Sequence, residues 1–278
     1  MTAPGNPAVG EPARPFMPPR ASREPLFYLS AVFVFLASAI ATIWFCSSMS
    51  GGMEMPGRWT MSMMWMPMAG QTWLAASAMF LFMWLAMMVA MMLPSAVPML
   101  ILYRRALHFR KDPSADIATW LMAAGYFFVW LGVGAIAYGA GVAVAWAAMR
   151  WPLVSRLIPA AGGGALILCG VFQFTPWKMA CLSHCRDPLH FCAAHLDGGA
   201  AGGWRLGLHH GAFCAACCWG LMLIQLVLGV MNLIVMVIVA AVIALEKLVP
   251  RAQFIVWVTG GVAIAAGLVL IVRSIPFH

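Results

Sequence analysis

Long apolar runs alternate with short polar ones along the chain. Uncharged apolar stretches occupy 26–46, 73–103, 117–149, 157–177, 206–245 and 252–272, and each reaches the ~20 residues that a helix needs to cross a bilayer. A membrane β-barrel would instead show alternating segments of ~10 residues. The 206–245 run is too long for one crossing. A single helix over 213–247 would measure about 52 Å at ~1.5 Å per residue, against a hydrocarbon core of ~30 Å. A hinge at Gly229-Val230-Met231-Asn232 divides it into two short crossings. The pattern therefore predicts an all-α integral membrane protein, a polytopic helical bundle of about seven transmembrane helices, or about six if 213–247 is one helix.

Composition agrees. Of 278 residues 64% are hydrophobic and only 9% charged, whereas a soluble domain carries about 25% charged residues. That excludes a soluble globular domain, and equally a disordered chain, a coiled coil or a collagen. Residues 1–25 hold seven prolines and read as a disordered Pro-rich tail; residues 26–278 form a single transmembrane domain. Two segments of that domain stand out, a Met-rich loop over 47–71 and a Cys/His-rich loop over 177–212.

With seven crossings the basic residues sort by side. Arg14, Arg20, Arg23, Arg104, Arg105, Arg110, Lys111, Lys178, Arg186, Arg205, Lys247 and Arg251 fall on one side, and Arg58, Arg150, Arg156 and Arg273 on the other. The positive-inside rule then puts the N-terminus, the even loops and the Cys/His segment in the cytoplasm, and the Met loop outside, in a bacterial inner (plasma) membrane. The net charge of +8 reflects this topology and contact with the lipid bilayer. It does not indicate nucleic acid, because no soluble fold is present to carry a basic stripe.

Residues 181–218 hold six of the eight cysteines and five of the seven histidines. They are Cys181, His184, Cys185, His190, Cys192, His195, His209, His210, Cys214, Cys217 and Cys218. Cys181, His184 and Cys185 stand at i, i+3 and i+4, which is one helix face. Cys214, Cys217 and Cys218 repeat the spacing at the expected start of the fifth helix. Two such faces brought together could surround an ion. Cytoplasmic thiols stay reduced, and thiolate is the form that binds metal. Thiolate with imidazole suits Cu(I), zinc or iron. Zinc is a direct rival, since structural zinc sites use paired ligand knuckles. A thiol–disulfide role for Cys214 and Cys217 also has a basis, through the dipole of a helix start. Cys46 and Cys169 read as packing residues, and His108 and His278 as solvated ones.

Methionine is equally uneven. Fifteen of 23 lie between Met49 and Met99, and the outside loop carries Met49, Met53, Met55, Met61, Met63, Met64, Met66 and Met68. Thioethers bind Cu(I) and form no disulfides in an oxidising compartment; the bland alternative is an apolar plug dipping into the membrane. The second helix continues with Met79, Met83, Met87 and Met91 at four-residue steps, beside Met88 and Met92. Such a stripe is ordinary core packing in most helices. Met87/Met91 and Met88/Met92 nevertheless resemble the Met-x-x-x-Met rungs of Ctr-type copper transporters. Pro94 and Pro98 should break or kink this helix and leave a polar spot near Ser95.

Few other polar groups lie inside the spans. Gln173, Gln225 and Asn232 are candidates for interhelical hydrogen bonds, and Glu246 with Lys247 reads as an anchoring pair at the interface. No charged proton relay, acid–base pair or nucleophile–base set is visible, so the reading leans away from an enzyme. No nucleotide-binding motif is present either.

Four stretches carry a family resemblance: Met87-Met88-Val89-Ala90-Met91-Met92-Leu93-Pro94-Ser95; Gln173-Phe174-Thr175-Pro176-Trp177-Lys178 leading into Cys181-Leu182-Ser183-His184-Cys185-Arg186; His210-Gly211, Cys214 and Cys217-Cys218-Trp219 with Leu221-Met222; and Gly229-Val230-Met231-Asn232-Leu233 followed by Glu246-Lys247. Over roughly residues 75–250 the chain resembles the family of predicted metal-binding integral membrane proteins, a domain of unknown function. The resemblance implies metal binding, in some descriptions copper handling. The Met loop lies outside it.

Three functions follow as expectations. The first is Cu(I) handling, either uptake or delivery of copper to a membrane metalloenzyme, with a copper chaperone as exchange partner. Met61, Met63, Met64, Met66 and Met68 would capture the ion, Met87, Met88, Met91 and Met92 would accept it, and the Cys/His face would hold or release it. The second is a membrane oxidoreductase, or a subunit of one, using metal, haem or thiols. The third is an assembly partner with a structural zinc. Oligomerisation fits any of them.

Overall fold

Hydropathy dictates helices, and the computed structural model, which describes residues 24–48, 51–57, 59–68, 70–187 and 198–275, contains eight of them among those residues together with one small hairpin. In chain order these are α1 (Glu24–Ser48), β1 (Gly52–Met55), β2 (Trp59–Ser62), a 3₁₀ turn (Met63–Trp65), α2 (Trp73–Phe109), α3 (Ala115–Arg150), α4 (Pro152–Gln173), α5 (Pro176–Arg186), α6 (Gly199–Gly229), α7 (Leu233–Leu248) and α8 (Ala252–Ser274). Six of them, α1, α2, α3, α4, α6 and α8, are long and apolar enough to cross a membrane. Their outward faces carry large apolar residues such as Leu29, Phe33, Ile136, Leu168 and Val262. In water such a surface would be an association liability; against lipid it is the expected exterior.

The 213–247 segment is two helices, divided where the hinge was expected. Gly229 takes a positive φ of 113°, open to glycine at no steric cost. Asn232 then caps α7, its Oδ1 accepting from the N–H groups of Ile234 and Val235 at 3.1 and 3.2 Å. Gln225 donates to the carbonyls of Gly229 and Val230, so it seals the end of its own helix, with no bond to another helix among the described residues. With 16 residues, α7 is about 24 Å long, short of the bilayer core. The described residues thus hold six long helices and two short ones, α5 and α7. Pro94 and Pro98 do not break α2, which runs unbroken over 37 residues.

The long helices pack through small residues. Helices α3 and α6 run parallel, with Gly203 against the carbonyl of Ala118 and Gly207 against that of Met122, so close that a Cβ at either glycine would collide with backbone. Glycine permits this close approach. Gly207→Ala is accordingly expected to destabilise the detergent-solubilised protein by about 1–3 kcal/mol. Gly132→Ala, at a position facing open space on α3, should leave thermal stability equal or slightly raised. Equal melting of the two variants would contradict this account of the α3–α6 contact.

Helix lengths set the depth of everything else. Helices α2, α3 and α6 contain 37, 36 and 31 residues. Helix α4 has only 22, and its last turn, at Cys169 and Phe172, lies beside Gly220 of α6. It therefore stops near the middle of α6, and α5 begins there. At the α2–α3 turn the Asp112 carboxylate accepts from Ser114 and from the Gly199 N–H at 3.1 Å, capping α6 from outside its own helix. The hydroxyl and N–H of Ser114 hold this carboxyl below its ordinary range.

Candidate metal centre

The segment read as a Cys/His-rich loop is helical over Pro176–Arg186 and again from Gly199 onward. Cys214, Cys217 and Cys218 are consequently well inside α6, about four turns from its start, where no helix-end dipole acts on them. That removes the physical basis for a reactive thiol at a helix start. Helix α5 begins with Pro176 in its first turn and Thr175 as cap, the Thr175 hydroxyl accepting from the Lys178 N–H at 3.3 Å. It lies along α6 and brings Cys185 to the α6 thiols.

Four thiols meet there. The sulfurs of Cys185 and Cys217 are 3.9 Å apart and those of Cys217 and Cys218 3.4 Å. Cys217 Sγ also donates to the Cys214 carbonyl at 3.2 Å, one turn back along α6. The three α6 cysteines are buried, and none of the four is in a disulfide. Two sulfurs sharing an ion at about 2.3 Å each can lie up to about 4.6 Å apart, so the Cys185–Cys217 separation is within bridging range. Among the described residues, no set of three or more Cys, His, Asp or Glu is already disposed around a common ion position; the thiols are packed against one another as hydrogen-bonding partners.

The surroundings are charged, which the sequence reading did not anticipate. Lys178 and Glu246 are 0% and 1% exposed and form an ion pair at 2.7 Å. Lys178 Nζ also donates to the Cys217 carbonyl at 2.7 Å, and Gln173 Nε2 donates to Glu246 Oε1 at 3.1 Å. Lys247 Nζ donates to Cys214 Sγ at 2.9 Å and to Ser95 Oγ at 3.3 Å. Tyr126 Oη is 2.9 Å from the same Cys214 sulfur. Arg186 donates to the Glu246 carbonyl at 2.6 Å, tying the end of α5 to α7. Glu246 and Lys247 are thus no interfacial anchor, and Lys178 and Lys247 are not loop charges. All three lie inside the bundle because α4 and α7 end level with the middle of α6. The polar spot at Ser95 is where the prolines of α2 suggested.

The remaining sequence candidates distribute as follows. Cys181 is buried in the same core as the α6 thiols. His184 is exposed; its ring stacks on Phe213 at 4.4 Å and its Nδ1 meets the Ala180 carbonyl at 2.8 Å. His209 meets the same Phe213 ring edge-on at 5.0 Å. His210 is buried and stacks on Tyr126 at 5.5 Å. His210 thereby adjoins the ring whose hydroxyl meets the Cys214 sulfur. His190, Cys192 and His195 lie outside the described residues. Met87, Met88, Met91 and Met92 are buried in one continuous core with Cys214, Cys217 and Cys218. Met61 is buried with Met55 between the hairpin and Ala145 and Ala148 of α3. Met63, Met64, Met66 and Met68 line a small pocket at the top of α2.

Lys178, Glu246, Lys247 and Tyr126 were missed as site residues. A signal existed for three of them. Lys178, Glu246 and Lys247 belong to the motif stretches, in a chain where charge is scarce. Each stands at the edge of an apolar run, however, where a charge is ordinarily solvated.

No curated protein and no solved structure matches the chain. A family comparison does: residues 81–270, which include all four thiols and both buried lysines, match PpoB2, described as a copper chaperone. That description is consistent with the copper handling expected from the sequence. With more than half of the 278 residues matched, the chain belongs to the PpoB2 copper chaperone family.

Proposed function

We propose that this protein carries Cu(I) within the membrane on the thiols of Cys185, Cys214, Cys217 and Cys218 and hands it to a copper-requiring membrane enzyme. The observation that carries the reading is the approach of Cys185 from α5 to Cys217, which neighbours Cys218 on α6, one turn from Cys214 and its buried ammonium partner. Soft thiolates suit Cu(I), and copper is the cargo that the family description supplies. A Cu(I) ion held by two or three thiolates is net anionic. Lys247 at 2.9 Å from Cys214 offsets that charge where water cannot. The buried thioethers of Met87, Met88, Met91 and Met92 adjoin the thiols in one core, which supports a second set of soft donors leading to the cluster. The sequence orientation would place the thiols toward the reducing cytoplasm.

Elemental analysis of the purified protein and an anaerobic Cu(I) titration test this. One or two equivalents of Cu(I) per chain are expected, on the order of one ion per two to four thiols, releasable to a stronger soft chelator. A tightly held, redox-silent zinc ion that Cu(I) does not displace would overturn the proposal in favour of a structural site. Lys247→Met supplies a sharper check. Unit charges about 4 Å apart interact by about 4 kcal/mol at an effective dielectric of ~20, and half of that is worth more than tenfold in affinity. Cu(I) affinity is therefore expected to fall by about tenfold or more. Unchanged affinity would show that the ammonium is not the counter-ion of the bound species.

A further inference from the structure

The outward end of α2 holds a second collection of sulfur with no thiol in it. Met63, Met64, Met66 and Met68 from the segment after the hairpin face Met79 and Met83 of α2 around a pocket with about 20 Å³ of free space, closed by Phe80, Ala76 and Gln71. One ion or one water fills such a volume. Among the described residues, no Cys, His, Asp or Glu lines it. The segment is built to this shape. Gln71 Oε1 accepts from the Met68 N–H at 3.2 Å, and the Gln71 N–H returns to the Met68 carbonyl at 2.9 Å around Gly70, whose φ is +82°. Gln71 Nε2 donates to the Met79 sulfur at 3.8 Å. Trp65 packs against Gly141 of α3 and its ring lies 5.4 Å from that of Phe80, pinning the segment from behind.

Packing does not account for all of these methionines. Met55 and Met61 are consumed in the hairpin core. Met63 and Met68, by contrast, stay exposed while lining the pocket, where an apolar side chain gains nothing from burial. Thioether sulfur is neutral and soft. It offers little to Mg²⁺, Ca²⁺ or Zn²⁺, which call for oxygen, imidazole or thiolate, and it selects a soft monovalent ion.

We infer that this methionine chamber is a separate, thioether-only site for Cu(I), or for Ag(I) as its surrogate, at the end of the molecule opposite the α2–α3 turn. Met79 and Met83 continue into Met87 and Met91 at four-residue steps down one side of α2. The 12 residues from Met79 to Met91 span about 18 Å, which joins the chamber to the core that holds the thiols. The inference rests on the Cu(I) reading only for this connection; the chamber's affinity for a soft ion is independent of it.

Oxidation of individual methionines by dilute peroxide, read by peptide mass spectrometry on the full chain in detergent, tests the site. Ag(I) is expected to slow oxidation of Met63, Met66 and Met68 by about tenfold or more, a ligand-sized effect. Met53, exposed on the hairpin and outside the chamber, should oxidise at an unchanged rate, and Zn(II) should protect none of them. Oxidation of the chamber methionines at the same rate with and without Ag(I), or equal protection of Met53, overturns the inference. The variant Met66→Leu/Met68→Leu keeps side-chain volume and should lose Ag(I) protection at Met63 while retaining Cu(I) on the thiols. Retained protection there also overturns it. Protection in a protein whose thiols bind no copper would leave the chamber standing and sink the thiol proposal alone.

Discussion

Cys185→Ser is expected to weaken Cu(I) binding by about 100-fold or more, beyond the 10–100-fold range typical of losing a supporting partner. Cys185 is the thiol that α5 contributes, 3.9 Å from Cys217; without it the cluster is reduced to three sulfurs on a single helix, two of them on adjacent residues. Serine keeps the size and presents a hard oxygen in place of soft sulfur. Cys169→Ser and Cys46→Ser are the matched controls. Cys169 faces Gly220 from α4 and Cys46 ends α1, so neither should alter affinity. An anaerobic competition against a colorimetric Cu(I) chelator measures all three. Equal affinities of Cys185→Ser and the parent would remove α5 from the site.

Glu246→Gln should be the most destabilising single change in the bundle, by about 3–5 kcal/mol, because it leaves the Lys178 ammonium buried without its carboxylate. The ion pair is fully enclosed. Each partner also has a second bond, Lys178 to the Cys217 carbonyl and Glu246 to Gln173. Four elements, α4, α5, α6 and α7, are therefore joined at one point. Replacing both charges, as in Lys178→Met with Glu246→Leu, removes the stranded charge and is expected to recover most of the loss, since well-packed apolar substitutes for a buried pair are often neutral or better. Thermal or denaturant unfolding in detergent reads both variants. A Glu246→Gln protein as stable as the parent would mean that water, or an uncharged Lys178, makes up for the lost carboxylate. The pair also has a positioning role. Lys178 holds the carbonyl of a cluster cysteine, and Arg186 ties the Glu246 backbone to the end of α5, so the stability loss should be accompanied by weaker Cu(I) binding.

Much of this was legible along the chain because bilayer crossing is a one-dimensional requirement. An apolar run of sufficient length has to be helical in lipid, so the helices, the break at Gly229–Asn232 and the single bundle follow from hydropathy and glycine placement. Ligand type was legible as well: six of eight cysteines crowd into 181–218 and eight methionines stand ahead of α2. Periodicity even indicated that Cys214, Cys217 and Cys218 share a face.

Relative depth was not legible. Lys178, Glu246 and Lys247 stand at the edges of apolar runs, and an edge is where hydropathy places a membrane surface. Only the tertiary structure shows that α4 and α7 end against the middle of α6, which carries these charges into the interior and makes them partners of one another and of the thiols. Rotation was equally hidden: His184 and Cys185 are neighbours in sequence, yet one stacks on Phe213 at the surface and the other meets Cys217. Nor could spacing separate Met61, spent in the hairpin core, from Met63, Met64, Met66 and Met68 around the chamber. By itself the sequence determined which segments are helices and which donor atoms the chain carries, because burial in lipid and the softness of sulfur act residue by residue. Which donors and charges meet was decided by the tertiary structure, because that depends on how helices of unequal length are set against one another in depth and rotation.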